Sequence, residues 1–128
     1  MDKKSIKILL CDDNDNFRAL LTTYIKAMPG VNVVGEAIDG VDVIEKTERL
    51  SPDLVLMDLS MPNQSGLDAT KTIKEKWPNT SVIILTLYED SVYKELADEF
   101  NADGFIAKSS IKAQLPLLIE EKVKNSLN

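Results

Sequence analysis

The stretch Asp53-Leu54-Val55-Leu56-Met57-Asp58 decides the fold, because an apolar run here ends on a carboxylate. The turn-forming residues Pro62 and Gly66 follow it. Continuous apolar runs of this length are typical of a central strand in a parallel sheet. A charge at the carboxyl end of such a strand lies where open α/β sheets bind their ligands. The stretch therefore predicts a parallel sheet with a site at Asp58.

A second apolar run points to the same edge of the sheet. The strand predicted over residues 6–10 continues into Asp12 and Asp13. If the two strands are neighbours, three carboxylates meet at one edge, and we expect Asp58 to be the reacting group.

The rest of the chain alternates between strand and helix patterns. Further strands are predicted over residues 31–37, 81–86 and 102–107. The apolar face of the first helix is predicted from helical spacing to comprise Phe17, Leu20, Leu21, Tyr24, Ile25 and Met28. Five strand–helix units imply an α/β, flavodoxin-like (βα)5 doubly wound sheet, with parallel strands in order 2-1-3-4-5 and helices on both faces. We expect residues 1–128 to form a single domain, with its core at about residues 5–124.

Composition excludes several classes of function. The net charge of −6 argues against direct nucleic-acid binding by this domain. The absence of histidine removes the usual general base and zinc ligand. Cys11 is the single cysteine, which favours a reducing, cytoplasmic location. No signal peptide or membrane-spanning stretch is recognisable, so no membrane partner is expected.

Candidate reactive groups lie at or just after the ends of the predicted strands: Asp12, Asp13, Asp58, Thr86 and Lys108. Clustered carboxylates repel one another by roughly 4 kcal/mol per pair at 4 Å and an effective dielectric near 20. Bound Mg²⁺ explains such a cluster most simply, because it prefers oxygen ligands and shares substrate phosphate oxygens. Asp58 would then be a carboxylate nucleophile that forms an aspartyl-phosphate, with Thr86 and Lys108 assisting phosphoryl transfer.

Each of these residues alone has an ordinary structural explanation. Asp12, Asp13 and Asp58 could be turn or helix-cap residues. Thr86 could be a β-branched strand residue and Lys108 a solvated charge. Their joint placement at strand ends favours the chemical interpretation.

The same residues resemble a known family, the receiver domain of two-component response regulators. The similarity covers most of the chain and is carried by Asp12-Asp13, Met57-Asp58 with Met61-Pro62 and Gly66, Thr86, and Phe105 ahead of Lys108. Residues 85–90 and 104–109 look most like receivers attached to helix-turn-helix DNA-binding domains. The resemblance thus implies a role in transcription regulation, with a DNA-binding output domain in a longer chain.

The resemblance implies a phosphorylation-dependent signalling switch that assists its own phosphorylation and dephosphorylation. Asp58 would accept the phosphoryl group from a histidine kinase or a small phosphodonor. Asp13 and Asp58 would ligate Mg²⁺ directly, Asp12 would act through water, and the backbone carbonyl of Ser60 would complete the protein ligands.

The resemblance also implies a switch. Thr86 and Lys108 would contact the phosphoryl group, and movement of Thr86 would let Phe105 turn inward and alter a face used for output or homodimerisation. Phe105 lacks the hydroxyl of the tyrosine that many receivers carry here. Ser109 replaces the proline that follows the lysine in many receivers, which removes their cis Lys-Pro bond.

Three residues are expected to set the phosphate lifetime. In receivers the positions two past the acceptor and two past the threonine influence attack by water, and here they are Ser60 and Tyr88. Leu87 stands where many receivers have a small residue, and we expect it to narrow access to the phosphate.

Two other functions compete. A phosphate-independent interaction module could share the fold, although retention of the whole acidic and phosphate-binding set counts against it. A Mg²⁺-dependent phosphatase with an aspartyl nucleophile would carry a second aspartate two residues later, where this chain has Ser60. Flavin or dinucleotide binding is less favoured, because no G-x-G-x-x-G follows the first strand.

Overall fold

The computed structural model describes residues 5–59, 65–87 and 91–126. Strands and helices alternate along them. In chain order they are β1 (Ile6–Cys11), α1 (Asp15–Lys26), β2 (Val31–Ala37), α2 (Gly40–Leu50), β3 (Leu54–Asp58), α3 (Ser65–Lys76), β4 (Ser81–Thr86), α4 (Ser91–Glu99), β5 (Gly104–Ala107) and α5 (Ile111–Ser126). A short 3-10 helix, Lys108–Ser110, joins β5 to α5.

The five strands form one sheet in the order β2-β1-β3-β4-β5, and every neighbouring pair is parallel. The predicted fold and strand order are therefore confirmed. Asp58 pairs with Leu85, and Thr86 pairs with Ala107. The carboxyl ends of the strands, with the residues that follow them, consequently share one edge of the sheet.

The helices cover both faces of the sheet. Side chains alternate between the two faces along each strand, so successive core residues belong to different clusters. One cluster joins Leu10 and Leu56 to residues of α1 and α5, whereas the other joins Val55 and Met57 to residues of α2, α3 and α4. Asp58 continues the alternation of Leu56 and so belongs to the α1/α5 side.

Two strands begin later than the sequence suggests. β3 begins at Leu54, although the N–H of Asp53 already donates to the carbonyl of Lys7 (2.8 Å) and its side chain accepts from the Lys7 N–H (2.7 Å). Asn101 adopts a left-handed conformation (φ 68°) at the end of α4, as its residue type suggests. Ala102 still donates to the carbonyl of Ala97 in α4, so β5 starts only after it.

The predicted burial of Leu20 is wrong, since it is 71% exposed. The buried stripe of α1 is centred on Leu21 and Ile25. At about 100° of rotation per residue, Leu20 lies roughly 100° from Leu21, beyond the edge of this stripe.

Candidate functional site

The centre of the site is an ammonium group between two buried carboxylates. Asp58, at the end of β3, is 1% exposed. The Nζ atom of Lys108 lies 3.2 Å from Oδ1 of Asp58 and 3.2 Å from Oδ2 of Asp12. The Lys108 side chain is 11% exposed, so water screens these contacts only weakly.

The turn between β1 and α1 holds Asp12 in place. Its backbone N–H donates to the carbonyl of Ala37 on β2 (3.0 Å), and its Oδ1 accepts from the N–H of Asn14 (2.8 Å). Asn14 in turn caps α1, because its side-chain oxygen accepts from the N–H of Phe17 (3.0 Å). The start of the helix and the position of the carboxylate are therefore coupled.

Burial raises the pKa of Asp12 above its ordinary value. The hydrogen bond from Asn14 opposes this shift, and the nearby charge of Asp58 adds to it. The ammonium of Lys108 counteracts part of the increase. Without metal, burial and the charge of Asp58 thus disfavour the ionised form of Asp12, and a bound cation would favour it.

Three carboxylates form a candidate metal centre. Asp12, Asp13 and Asp58 each offer one oxygen, and these oxygens lie within 4.8 Å of one another. Asp13 is exposed, whereas the other two are buried. An all-oxygen set that is open to solvent on one side fits Mg²⁺, which keeps several of its waters. Ser60, predicted to add a carbonyl ligand, lies outside the described residues.

Thr86 ends β4 and is fully buried. Its register partner, Ala107, directly precedes Lys108, so Thr86 lies at the same edge of the sheet as the carboxylate pair. Phe105 is partly buried and pairs with Ile84, which by alternation lies on the same face of the sheet as Thr86. Thr86 and Phe105 therefore border one face, as the proposed switch needs.

Of the three residues predicted to control the phosphate lifetime, the structure describes Leu87. Leu87, next to Thr86, is 64% exposed. Tyr88, like Ser60, is outside the described ranges. Ser109 lies in the short 3-10 helix, and the described part of the chain contains no cis peptide bond.

Two residues of α1 that sequence reasoning missed also contact the site. The Nζ atom of Lys108 lies 4.0 Å from the centroid of the Phe17 ring, a cation–π contact. Arg18 donates from Nη1 to the backbone carbonyl of Asp12 (2.6 Å). Helical spacing marks Phe17 only as a core residue, and no sequence signal identifies a contact to a backbone carbonyl.

Cys11 has no place in this chemistry. It is buried, and its Sγ donates to the carbonyl of Asp39 (3.5 Å). Burial raises the pKa of the thiol well above its ordinary value, so it stays protonated at neutral pH.

A comparison with protein families identifies the family of the chain. The family model described as the response regulator receiver domain matches residues 8–120. The chain belongs to this family. It is thus a receiver domain of two-component systems, and its acidic cluster is consistent with a Mg²⁺ site.

Individual relatives agree with this assignment. The receiver domain is 35% identical over 122 residues to the response regulator protein VraR of Staphylococcus saprophyticus, covering 94% of this chain and 57% of that protein. A LuxR-family two-component response regulator from Aurantimonas sp. SI85-9A1 gives a TM-score of 0.87 at 31% identity, covering 95% of this chain and 87% of that one. The receiver of the putative response regulator NarL from Mycobacterium tuberculosis gives a TM-score of 0.85 at 25% identity, covering 94% and 98%.

The receiver domain spans about half the length of most curated relatives that it matches. Several of those relatives are named as transcriptional regulators. Among the described residues, no helix is both long and apolar enough to cross a bilayer.

Proposed function

We propose that this receiver domain is a phosphorylation-dependent switch in which Asp58 accepts the phosphoryl group. The observation that carries the proposal is the buried Asp58 carboxylate, 3.2 Å from Lys108 and clustered with two further aspartates at the carboxyl edge of the sheet. The donor would be a histidine kinase or a small phosphodonor, as the family implies. Residues 1–128 would act as one domain.

In the transfer step an Asp58 carboxylate oxygen forms a bond to phosphorus. The bond between phosphorus and the donor breaks, and its electron pair leaves with the donor. Lys108 neutralises charge on the phosphoryl oxygens, and the Thr86 hydroxyl donates a hydrogen bond to one of them. These residues position and neutralise the group, which is most of what phosphoryl transfer requires.

Asp12, Asp13, Asp58 and the Ser60 carbonyl would hold Mg²⁺. The bound ion supplies positive charge that offsets both the clustered carboxylates and the incoming phosphate. Asp13 would ligate directly beside Asp58, while the buried Asp12 would act through water.

The output would follow from a shift between two conformations. Thr86 moving towards the phosphoryl group would free space on the face that it shares with Phe105, and Phe105 would turn inward by packing alone, because it has no hydroxyl. We propose that this alters the surface of α4, β5 and α5 and favours a homodimer, which would serve a DNA-binding output domain in a longer chain. Sedimentation with and without a stable phosphate mimic measures the change in self-association.

Intact mass spectrometry tests the proposal. With a small phosphodonor and Mg²⁺, wild type should gain the mass of one phosphoryl group, and Asp58→Asn should gain none. Asp53→Asn is the matched control, because it removes a carboxylate just before the opposite end of β3 and should still be phosphorylated. An adduct of equal yield in Asp58→Asn would refute the assignment.

A further inference from the structure

Arg18, the fourth residue of α1, has no role in the reaction described above, yet its guanidinium group is held at three points. Nε donates to Oε1 of Glu36 (2.8 Å), and Nη2 donates to Oδ1 of Asp15 (2.7 Å). Nη1 donates to the backbone carbonyl of Asp12 (2.6 Å). The Arg18 side chain is 14% exposed, whereas its partner Asp15 is exposed at the surface, so the contact with the Asp12 carbonyl is the inner part of this arrangement.

The contact with Asp12 fixes the geometry of the acidic turn. The Asp12 carbonyl belongs to the planar peptide unit that leads into Asp13, so orienting this carbonyl orients the Asp13 backbone as well. The N–H of Asp12 is already bonded to Ala37 on β2. Both backbone polar groups of Asp12 are therefore held, one by the sheet and one by Arg18.

This restraint matters most for Asp13. Its side chain is exposed, whereas Asp12 and Asp58 are packed in the interior. The position of the Asp13 carboxylate therefore depends chiefly on the backbone that carries it. A metal site needs its ligands held close to the productive geometry before the ion arrives.

The two carboxylates on Arg18 keep its planar fork aimed at the turn. Glu36 lies on β2, and Asp15 lies in the first turn of α1, so the guanidinium is anchored to two separate elements. The hydrogen bond with Asp15 raises the pKa of Arg18, which therefore stays charged. A planar fork with fixed donor directions suits such three-point contact better than an ammonium does.

We propose that Arg18 is a positioning residue for cation binding, which fixes the turn at Asp12 and Asp13 so that the three carboxylates are arranged for Mg²⁺. This inference rests on the proposed function in one respect, that the site binds Mg²⁺. Simple electrostatics predicts the opposite effect of losing Arg18, because removing a positive charge beside three carboxylates should tighten the binding of a divalent cation. The sign of the change in affinity thus separates positioning from charge.

Calorimetric titration of the domain with Mg²⁺ alone tests the inference. Arg18→Met should raise the dissociation constant about tenfold or more, the usual effect of losing a residue that orients metal ligands. Glu36→Gln is the matched control, because it removes the charge of one partner while its amide oxygen can still accept from Nε and Arg18 stays on the Asp12 carbonyl. Its dissociation constant should stay within about twofold of wild type, as expected for a partly exposed ion pair.

The comparison must be made on folded protein. Thermal unfolding in EDTA sets a titration temperature at which every variant is native. If Arg18→Met melts below any usable temperature, Arg18→Lys replaces it, since it keeps the charge but loses the planar fork. It should still bind Mg²⁺ several-fold more weakly than wild type.

Equal or tighter Mg²⁺ binding by Arg18→Met, or by Arg18→Lys in its place, would overturn the inference. Weakening in Glu36→Gln as large as that in Arg18→Met would also overturn it, since the effect would then belong to the ion pair. Failure of wild type to bind Mg²⁺ would defeat the proposed metal site and this inference together. Binding that is lost in Asp13→Ala but unchanged in Arg18→Met would defeat the inference alone.

Discussion

Replacing Lys108 with methionine should lower the free energy of unfolding, because it removes a positive charge from between two carboxylates. Methionine keeps an unbranched side chain that can still pack on the Phe17 ring, but it removes the ammonium that lies 3.2 Å from both Asp12 and Asp58. Two buried carboxylates would then face each other without a cation between them. In EDTA near neutral pH, Lys108→Met should be markedly less stable than wild type.

The magnitude follows from the distances. Each contact at 3.2 Å corresponds to a Coulomb energy of about 5 kcal/mol at an effective dielectric near 20. Burying the ammonium costs free energy and offsets much of this attraction, so the sum of the two contacts is not the net effect. Removing one partner of a buried ion pair typically destabilises a protein by about 3–5 kcal/mol, and we expect a loss in this range.

The loss should depend on pH and Mg²⁺ in a defined direction. As the pH falls, the Asp12 carboxylate, whose pKa is already raised by burial, takes up a proton, so the difference in stability between wild type and Lys108→Met should shrink. Saturating Mg²⁺ replaces the missing positive charge. It should therefore stabilise the variant more than wild type, and wild type itself should gain roughly 2.7 kcal/mol at a hundredfold excess over its dissociation constant.

Urea unfolding followed by the fluorescence of Trp77, the single tryptophan, measures these differences. Lys122→Met is the matched control, because Lys122 donates to the neutral hydroxyl of Ser81 at the start of β4. Its loss should cost about 1 kcal/mol and should not vary with Mg²⁺.

A Lys108→Met variant no less stable in EDTA than Lys122→Met would refute the reasoning. So would a loss that persists unchanged at acid pH, since the carboxylates would then not be its source.

Three further predictions concern other residues of the site. Without metal, the raised pKa of Asp12 means that the folded state binds more protons than the unfolded state, so the free energy of unfolding should fall as the pH rises from about 4 through the folded-state pKa. Asp12→Asn should thus gain stability over wild type as pH rises in EDTA, and a pH-independent difference in urea unfolding would contradict this. Asp13→Ala removes a charge that repels the other two carboxylates, so it should melt higher than wild type in EDTA, but only slightly, because this exposed charge is well screened. The variant should also lose the Mg²⁺ shift, and a full shift in thermal melts would exclude Asp13 as a ligand. Tyr88→Ala should speed loss of the phosphoryl group by admitting water, and an unchanged or slower decay, followed by intact mass, would count against shielding.

The sheet was predictable because its signals are local. Apolar runs such as Leu54–Met57 and the turn residues after them define strands, and parallel connections permit few topologies. The grouping of Asp12, Asp58 and Lys108 followed from that topology, since residues after parallel strands share one edge. The error at Leu20 arose because helical spacing locates an apolar stripe but not its width.

The parts of the site that the sequence did not reveal depend on contacts between distant or unpatterned atoms. Arg18 lies three residues after Asp15, so the sequence indicates an ion pair between them on a helix. It does not indicate the hydrogen bond from Arg18 to the Asp12 carbonyl. The contact between the Phe17 ring and Lys108 depends on how α1 packs relative to the end of β5. Such contacts are set by packing, which a single sequence leaves open.

Peptide mapping after borohydride reduction tests the central claim most directly. Borohydride converts an aspartyl phosphate to homoserine, so it marks the phosphorylated residue permanently. After treatment with a phosphodonor and Mg²⁺, we expect homoserine at position 58 and unmodified Asp12 and Asp13. Homoserine at position 12 or 13, or none at position 58 in protein that carries a phosphoryl group, would contradict the account.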